Sequence, residues 1–132
     1  MEKEKNKEKE KKGNKTNSAT TIRINAEGQQ LGRLASKVAF YLQGKNKADY
    51  QPNEVGETTV IIDNLLKINI PKKKLEQKIY YHHTGYIGHL KEKKLKDLWT
   101  ENPAETFKSI VRPMLPKNKL RDRRLKKLII NL

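Results

Sequence analysis

Cysteine is absent from this chain, aromatic residues make up 6% of it, and no apolar run is long. Without cysteine there can be no disulfide, no thiolate zinc site and no cysteine nucleophile. No apolar run approaches the roughly 18 residues of a membrane-spanning helix, so we expect no membrane partner. A length of 132 residues, with 34% hydrophobic and 34% charged residues, predicts a single domain with a thin core. Such a fold can depend partly on a bound partner.

Positive charge, by contrast, is abundant and unevenly distributed. The net charge is +15, from 30 Lys and Arg against 15 Asp and Glu. Residues 21–66 are electrically neutral and residues 97–107 carry −3, whereas residues 67–96 carry +7 and residues 108–132 carry +8. Two cationic blocks favour a polyanion as partner because it offsets their self-repulsion. Nucleic acid is the first candidate.

Residues 1–20 form a polar segment that contains only Met1 and Ala19 as apolar residues. The segment cannot bury enough surface to offset its ordering entropy, so we predict a disordered charged tail. It lacks the apolar stretch of a secretory signal. Its charges nearly alternate in sign, which favours a solvated leader over a tail that contacts nucleic acid. Residues 21–132 are then the folded domain.

The neutral part predicts a β-strand, an α-helix and a second strand in the outline of a βαβ unit with a right-handed crossover. Residues 21–25 alternate apolar and polar, and residues 58–63 are β-branched and nearly continuous, which predicts a strand buried on both faces. Gly44 stands where a helix C-cap is expected. Between the strands, apolar residues recur at helical spacing: Leu31, Leu34, Val38 and Leu42.

The remaining chain predicts further short elements. Strands are predicted at residues 67–70, 78–82 and 128–130, with a loop marked by Gly85 and Gly88. Asn102 and Pro103 are an N-cap and a first helical residue, and they begin a helix that ends near Pro113. Two more helices are predicted. A short one before Asn102 is anchored by Leu95, Leu98 and Trp99, and a basic one covers residues 119–127.

Catalytic signatures are missing. His82, His83 and His89 have no HExxH pattern and few acids near them, so we expect no metal site and no cofactor. No serine sits in a nucleophile-elbow sequence. Gly44-Lys45 lacks the other residues of a phosphate-binding loop, and no GxGxxG follows the first strand. We therefore expect a protein that is not an enzyme and has no small-molecule substrate.

The two basic blocks carry the side chains that suit RNA. Residues 67–96 combine nine lysines with Tyr80, Tyr81, Tyr86 and the histidines. Lysines neutralise phosphates without reading sequence, and aromatic rings stack on unpaired bases. One of Tyr80 and Tyr81 is expected to face the core, which makes Tyr86 the better contact. In residues 112–127, arginine forks match phosphate geometry, and prolines stiffen the start of the block.

Five motifs occur in a fixed order: GRLAS at 32–36, GK at 44–45, YQP at 50–52, KIYYHHTGY at 78–86 and MLPKNKL at 114–120. Together they resemble the L-thirteen family of large ribosomal subunit proteins, over about residues 21–130. The resemblance implies a compact three-layer α/β/α domain with a small, mostly parallel four-stranded sheet and basic C-terminal helices. It also implies binding to large-subunit rRNA, contact with neighbouring large-subunit proteins and entry early in subunit assembly. A homo-oligomer is not expected.

The chain departs from the family pattern at four positions: Glu57, Lys72, Pro113 and Arg121. Lys72 and Arg121 add charge, which suits contact with RNA. Taken together, the basic blocks and the family motifs define the candidate RNA-binding residues. They are Arg33, Lys37, Lys45, Lys47, Lys72, Lys73, Lys74, Lys78, His82, His83, Tyr86, Lys91, Arg112, Lys117, Asn118, Lys119, Arg121, Arg123 and Arg124.

The function expected from the sequence is that of a structural constituent of the large ribosomal subunit that binds its rRNA through two basic blocks. We expect a cytoplasmic ribosome in preference to an organellar one. Two alternatives are a basic DNA-binding protein and a nucleotide-dependent enzyme. The first lacks a visible helix-turn-helix or dimer seam, and the second lacks a glycine-rich phosphate loop.

Overall fold

The computed structural model describes residues 20–132. The predicted tail over residues 1–20 therefore lies, apart from Thr20, outside the described residues. Both its disorder and the domain boundary at residue 20 stay predictions.

The described chain alternates short strands and helices, as an α/β protein does. The strands are β1 (Thr21–Asn25), β2 (Thr59–Asp63), β3 (Ile79–His83), β4 (Leu90–Lys94) and β5 (Leu128–Ile130). The helices are α1 (Leu31–Leu42), α2 (Lys72–Gln77), α3 (Leu95–Glu101), α4 (Pro103–Val111) and α5 (Leu120–Leu125). The 3₁₀ turns are Leu65–Lys67 and Arg112–Met114. The predicted α/β class is confirmed.

The central sheet has three parallel strands in the order β1-β2-β5. Strands β3 and β4 form a separate antiparallel hairpin, so the expected single four-stranded sheet is wrong in this detail. Residues 67–70, predicted as a strand, contain the end of a 3₁₀ turn and a single bridge from Asn69 to Gln30. A run this short, closed by Pro71, is too brief to add a strand.

The core lies between the sheet and α1. Ile24, Val60, Ile62 and Leu128 are buried on one face of the sheet, and Leu34 and Val38 of α1 belong to the same apolar cluster. Residues at alternate strand positions point to the other face. That face is less covered than predicted, because Ile61 is only half-buried and Ile129 is 46% exposed.

The start of α4 shows why the chain turns there. The Asn102 side chain accepts a hydrogen bond from the Glu105 backbone N–H at 3.1 Å and so caps α4, as its sequence predicts. Phe107 and Val111 then bury the inner face of α4 beside α1. This packing places the 3₁₀ turn Arg112–Met114 next to the end of α1.

Candidate nucleic-acid interface

The β3–β4 hairpin places aromatic and cationic side chains on one face. In its register Tyr80 pairs with Lys93, and His82 pairs with Lys91. Because directly opposed residues share a face, these four side chains lie on the same side of the ribbon. The Lys78 ammonium stands 5.5 Å from the centroid of the Tyr80 ring. The predicted strand at 78–82 is thus confirmed, shifted by one residue.

A hollow of about 300 Å³ opens against this face and is lined by Tyr80, Tyr81, His82, Lys91, Lys93 and Leu98. Leu98 comes from α3, which packs beside the hairpin. Tyr80 is half-buried, and this burial raises the pKa of its phenol above the usual 10.0. Tyr80 is therefore the tyrosine of the adjacent pair that turns inward, while Tyr81 is 60% exposed.

The tip of the hairpin is a compact turn. Gly85 and Gly88 adopt φ values of +93° and +76°, which side chains rarely tolerate. The His83 Nδ1 atom accepts the Gly85 backbone N–H at 3.0 Å, and the Thr84 hydroxyl donates to the His89 carbonyl at 3.3 Å. These contacts hold Tyr86 outward, with 74% of its surface exposed. The Tyr86 ring is thus exposed, and its contact with RNA stays a prediction, whereas the His83 side chain bonds within the turn through Nδ1.

The predicted RNA-binding lysines of helix α2 lie in its first turn. Lys72, Lys73 and Lys74 are all exposed, and no acidic residue lies in that turn. Three ammonium groups at the positive end of a helix are unfavourable for the helix itself. Their placement beside the hairpin extends one cationic surface, which we call the hairpin surface: residues 72–74, 78, 80, 82, 86, 91 and 93.

The C-terminal block is held in shape by its own hydrogen bonds. Arg112 forms an ion pair with Asp122 at 3.2 Å, and Arg121 Nε donates to the Pro116 carbonyl at 3.1 Å. Asn118 accepts the Leu120 backbone N–H at 3.2 Å, so its side chain shapes the turn before α5. Arg112, Lys117, Lys119 and Arg123 are exposed, and Arg121 is half-buried. The predicted basic helix at 119–127 is shorter, Leu120–Leu125.

Arg124 is a correction to the predicted interface. Its side chain is 0% exposed, and Nη2 donates to the carbonyls of Pro52 at 3.2 Å and Glu54 at 2.7 Å. A fully buried guanidinium cannot meet a phosphate without opening the fold, so this cation serves the structure. The sequence signal for this burial is that Arg124 lies four residues after Leu120, on the inner face of α5.

The turn after α1 brings two other candidates to the C-terminal block. Gly44, with φ +78°, donates to the Tyr41 carbonyl, and the Lys45 N–H donates to the Phe40 carbonyl. This pair of bonds is a Schellman motif, which confirms the predicted cap. Gln43 Nε2 donates to the Met114 carbonyl at 3.5 Å, so the turn lies against residues 112–114. Exposed Lys45 and half-buried Lys47 therefore join what we call the C-terminal surface: residues 45, 47, 112, 117–119, 121 and 123.

Arg33 and Lys37 are exposed on the outer side of α1. Within residues 20–132, neither side chain forms a hydrogen bond or an ion pair with a residue of either surface. Tyr80, Lys93, Tyr81 and Leu98 line the hollow but are not among the predicted RNA-binding residues. The signal for the first two was strand alternation, because Tyr80 is two residues before His82 and Lys93 is two after Lys91.

Neither a cluster of metal ligands nor a membrane-spanning helix occurs in the described part of the chain. Residues 20–132 contain no group of three or more His, Asp or Glu that could hold an ion. Among the same residues, no helix has both the length and the apolar character required to cross a bilayer.

Comparison with known proteins agrees with the motifs. The family model described as Ribosomal protein L13 matches residues 19–130. Proteins named Large ribosomal subunit protein uL13 are similar to the chain: that of Vesicomyosocius okutanii is 49% identical over 98 residues, 74% of this chain and 68% of the relative. Those of Clostridioides difficile and Aquifex aeolicus are 45% and 49% identical over 105 residues, 80% of this chain and 73% of each relative. The resemblance predicted from the sequence is confirmed, and the chain belongs to the ribosomal protein L13 family.

Proposed function

We propose that this protein is a structural constituent of the large ribosomal subunit that binds large-subunit rRNA through two basic surfaces. Its relatives are named as large-subunit proteins, which supports the ribosomal location. Those three relatives are bacterial, which favours a cytoplasmic ribosome over an organellar one. The role is one of binding and shaping rather than catalysis.

The observation that carries the proposal is how few acids compensate the exposed cations. On the hairpin surface, Lys93 pairs with Glu101 at 3.1 Å, and the other lysines of that surface form no ion pair with a described residue. On the C-terminal surface, Arg112 pairs with Asp122. The remaining exposed ammonium and guanidinium groups of both surfaces are available to phosphates.

The separation of the surfaces suggests how the protein acts. The hairpin surface lies on α2 and the two-stranded ribbon, while the C-terminal surface follows α4 and touches the end of α1. Two such surfaces on one protein can hold two rRNA segments together by neutralising their repulsion. A clamp of this kind is useful early in assembly, before other proteins cover the RNA. We propose that it acts as a single copy beside neighbouring subunit proteins.

Salt titration of binding to large-subunit rRNA fragments tests the proposal. If about 6 to 10 phosphates are neutralised, affinity should fall by about three to five decades between 50 and 200 mM salt. Full-length protein is titrated with rRNA fragments and with duplex DNA of equal length as competitor. A nearly flat salt dependence, or equal preference for the DNA, would contradict the proposal. Sedimentation with early large-subunit intermediates tests the assembly role, and association only with completed subunits would contradict that part.

A further inference from the structure

We propose that the hollow on the hairpin face is a binding site for one unpaired nucleotide of RNA, whose base lies against Tyr80 and His82 and whose phosphate meets Lys91. The inference rests on the proposed function and specifies what one part of the hairpin surface recognises. The hollow would bind a base, whereas the lysines on the rest of the hairpin surface neutralise RNA phosphates.

The strand register builds the site. Tyr80 and His82 alternate along β3 onto one face, and Lys93 and Lys91 of β4 stand directly opposite them. Leu98 of α3 closes the floor, so an apolar hollow of about 300 Å³ lies among ring, imidazole and aliphatic surface. That volume is at the lower end for ligand sites and suits one small ring system.

Two lysines at the edge of the hollow differ in their pairing with acids. The Lys93 ammonium is held 3.1 Å from Glu101 at the end of α3, which neutralises the carboxylate beside the hollow. Lys91 has no ion pair among the described residues and is exposed. A phosphate entering with its base therefore meets Lys91, and the Lys78 ammonium near the Tyr80 ring adds a second positive charge.

The combination favours a nucleotide over a protein side chain. Base stacking on aromatic and imidazole rings is tolerant of sequence and supplies affinity from the ring faces. A base also brings its own phosphate, which uses Lys91, whereas an apolar side chain from a neighbouring protein would leave that cation without a partner. Duplex RNA cannot enter, because its bases are stacked inside the helix, so the occupant is an unpaired nucleotide.

Two lysines on the same strand provide a matched comparison. Lys91 faces the hollow, while Lys94 pairs with Ile79 and points to the opposite face. Lys91→Gln and Lys94→Gln remove the same charge from β4. With short single-stranded RNA as probe, we expect Lys91→Gln to lower the salt slope of binding by about one and Lys94→Gln to leave it unchanged.

Ring contacts give a second, independent measurement. We expect nuclear Overhauser contacts between base protons and the Tyr80 ring and Leu98 methyl groups in the complex with single-stranded RNA. His82→Ala should weaken that complex about five- to hundredfold. The same substitution should weaken binding less to an RNA hairpin of equal length, whose bases are paired or held within a closed tetraloop.

The inference would be overturned if Lys91→Gln and Lys94→Gln changed the salt slope equally and the Tyr80 and Leu98 resonances did not respond to RNA. It would also be overturned by resonances that respond to another large-subunit protein but not to RNA, because the hollow would then be a protein contact. Neither result touches the proposed function, which fails only if the wild-type protein does not bind rRNA fragments with a steep salt dependence.

Discussion

The Nη2 atom of Arg124 lies 2.7 Å from the carbonyl oxygen of Glu54, joining residues 70 positions apart in the sequence. The same atom also reaches Pro52, and Lys127 Nζ donates to the carbonyl of Gly56. Two cations of the C-terminal basic block thus fasten the loop that leads into β2. Part of the charge that marks this chain as an RNA-binding protein holds the fold together.

Replacing Arg124 with Met should lower the free energy of unfolding by about 1.5 to 3 kcal/mol, because charged hydrogen bonds to two carbonyls are lost. Urea denaturation measures the change. Arg123→Met is the matched control, since Arg123 is exposed on the same helix and should change stability by less than about 0.5 kcal/mol. The same control should weaken RNA binding. Equal stability of the two variants would contradict the structural role of Arg124.

Gly44→Ala should destabilise the protein by about 1 to 2 kcal/mol, the cost of a left-handed backbone for a residue with a Cβ. Gly44 has φ +78°, and an added Cβ would meet no atom within 4 Å, so the cost is conformational rather than steric. Gly44→Asn should cost less, because asparagine tolerates this region better. Thermal unfolding of both variants checks the order. A larger loss for Asn than for Ala would contradict the explanation.

Lys73→Glu should raise stability and lower RNA affinity together. A carboxylate in the first turn of α2 interacts favourably with the helix dipole, worth about 0.3 to 1 kcal/mol at low salt. Gln77→Glu places the same charge at the C-terminal end of this helix and should have the opposite effect on stability. Unfolding and RNA-binding measurements on both variants test this trade. If Lys73→Glu destabilises the protein, the lysines are needed by the fold itself.

Burial raises the pKa of the Tyr80 phenol, so the folded state holds this proton more firmly than the unfolded state does. Stability from this group is present below the ordinary pKa of 10.0 and is lost as pH rises through the folded-state value. Unfolding free energies of wild-type protein and Tyr80→Phe should therefore diverge above pH 10, with the wild type falling faster. Parallel curves would show that Tyr80 is solvated in the folded protein.

The neutral part of the fold was predictable because its signals are local. Helical spacing from Leu31 to Leu42 reports burial directly, and the β-branched run in β2 reports it for one face of the sheet. Gly44 in the neutral part, and Asn102 beyond it, mark helix ends by their own backbone or side-chain chemistry. The separate hairpin was harder to predict. Its strand β4 is exposed throughout, so no apolar pattern distinguishes it from a loop.

The sequence by itself determined the family, the βαβ start and the division into neutral and cationic parts, since these depend on motif order, periodicity and charge count. Only the tertiary structure decided which cations face solvent. Arg123 and Arg124 are adjacent and chemically identical, yet one is exposed and the other is buried against Pro52 and Glu54. That difference depends on a loop 70 residues away, and contacts between distant segments exist only once the core has brought them together.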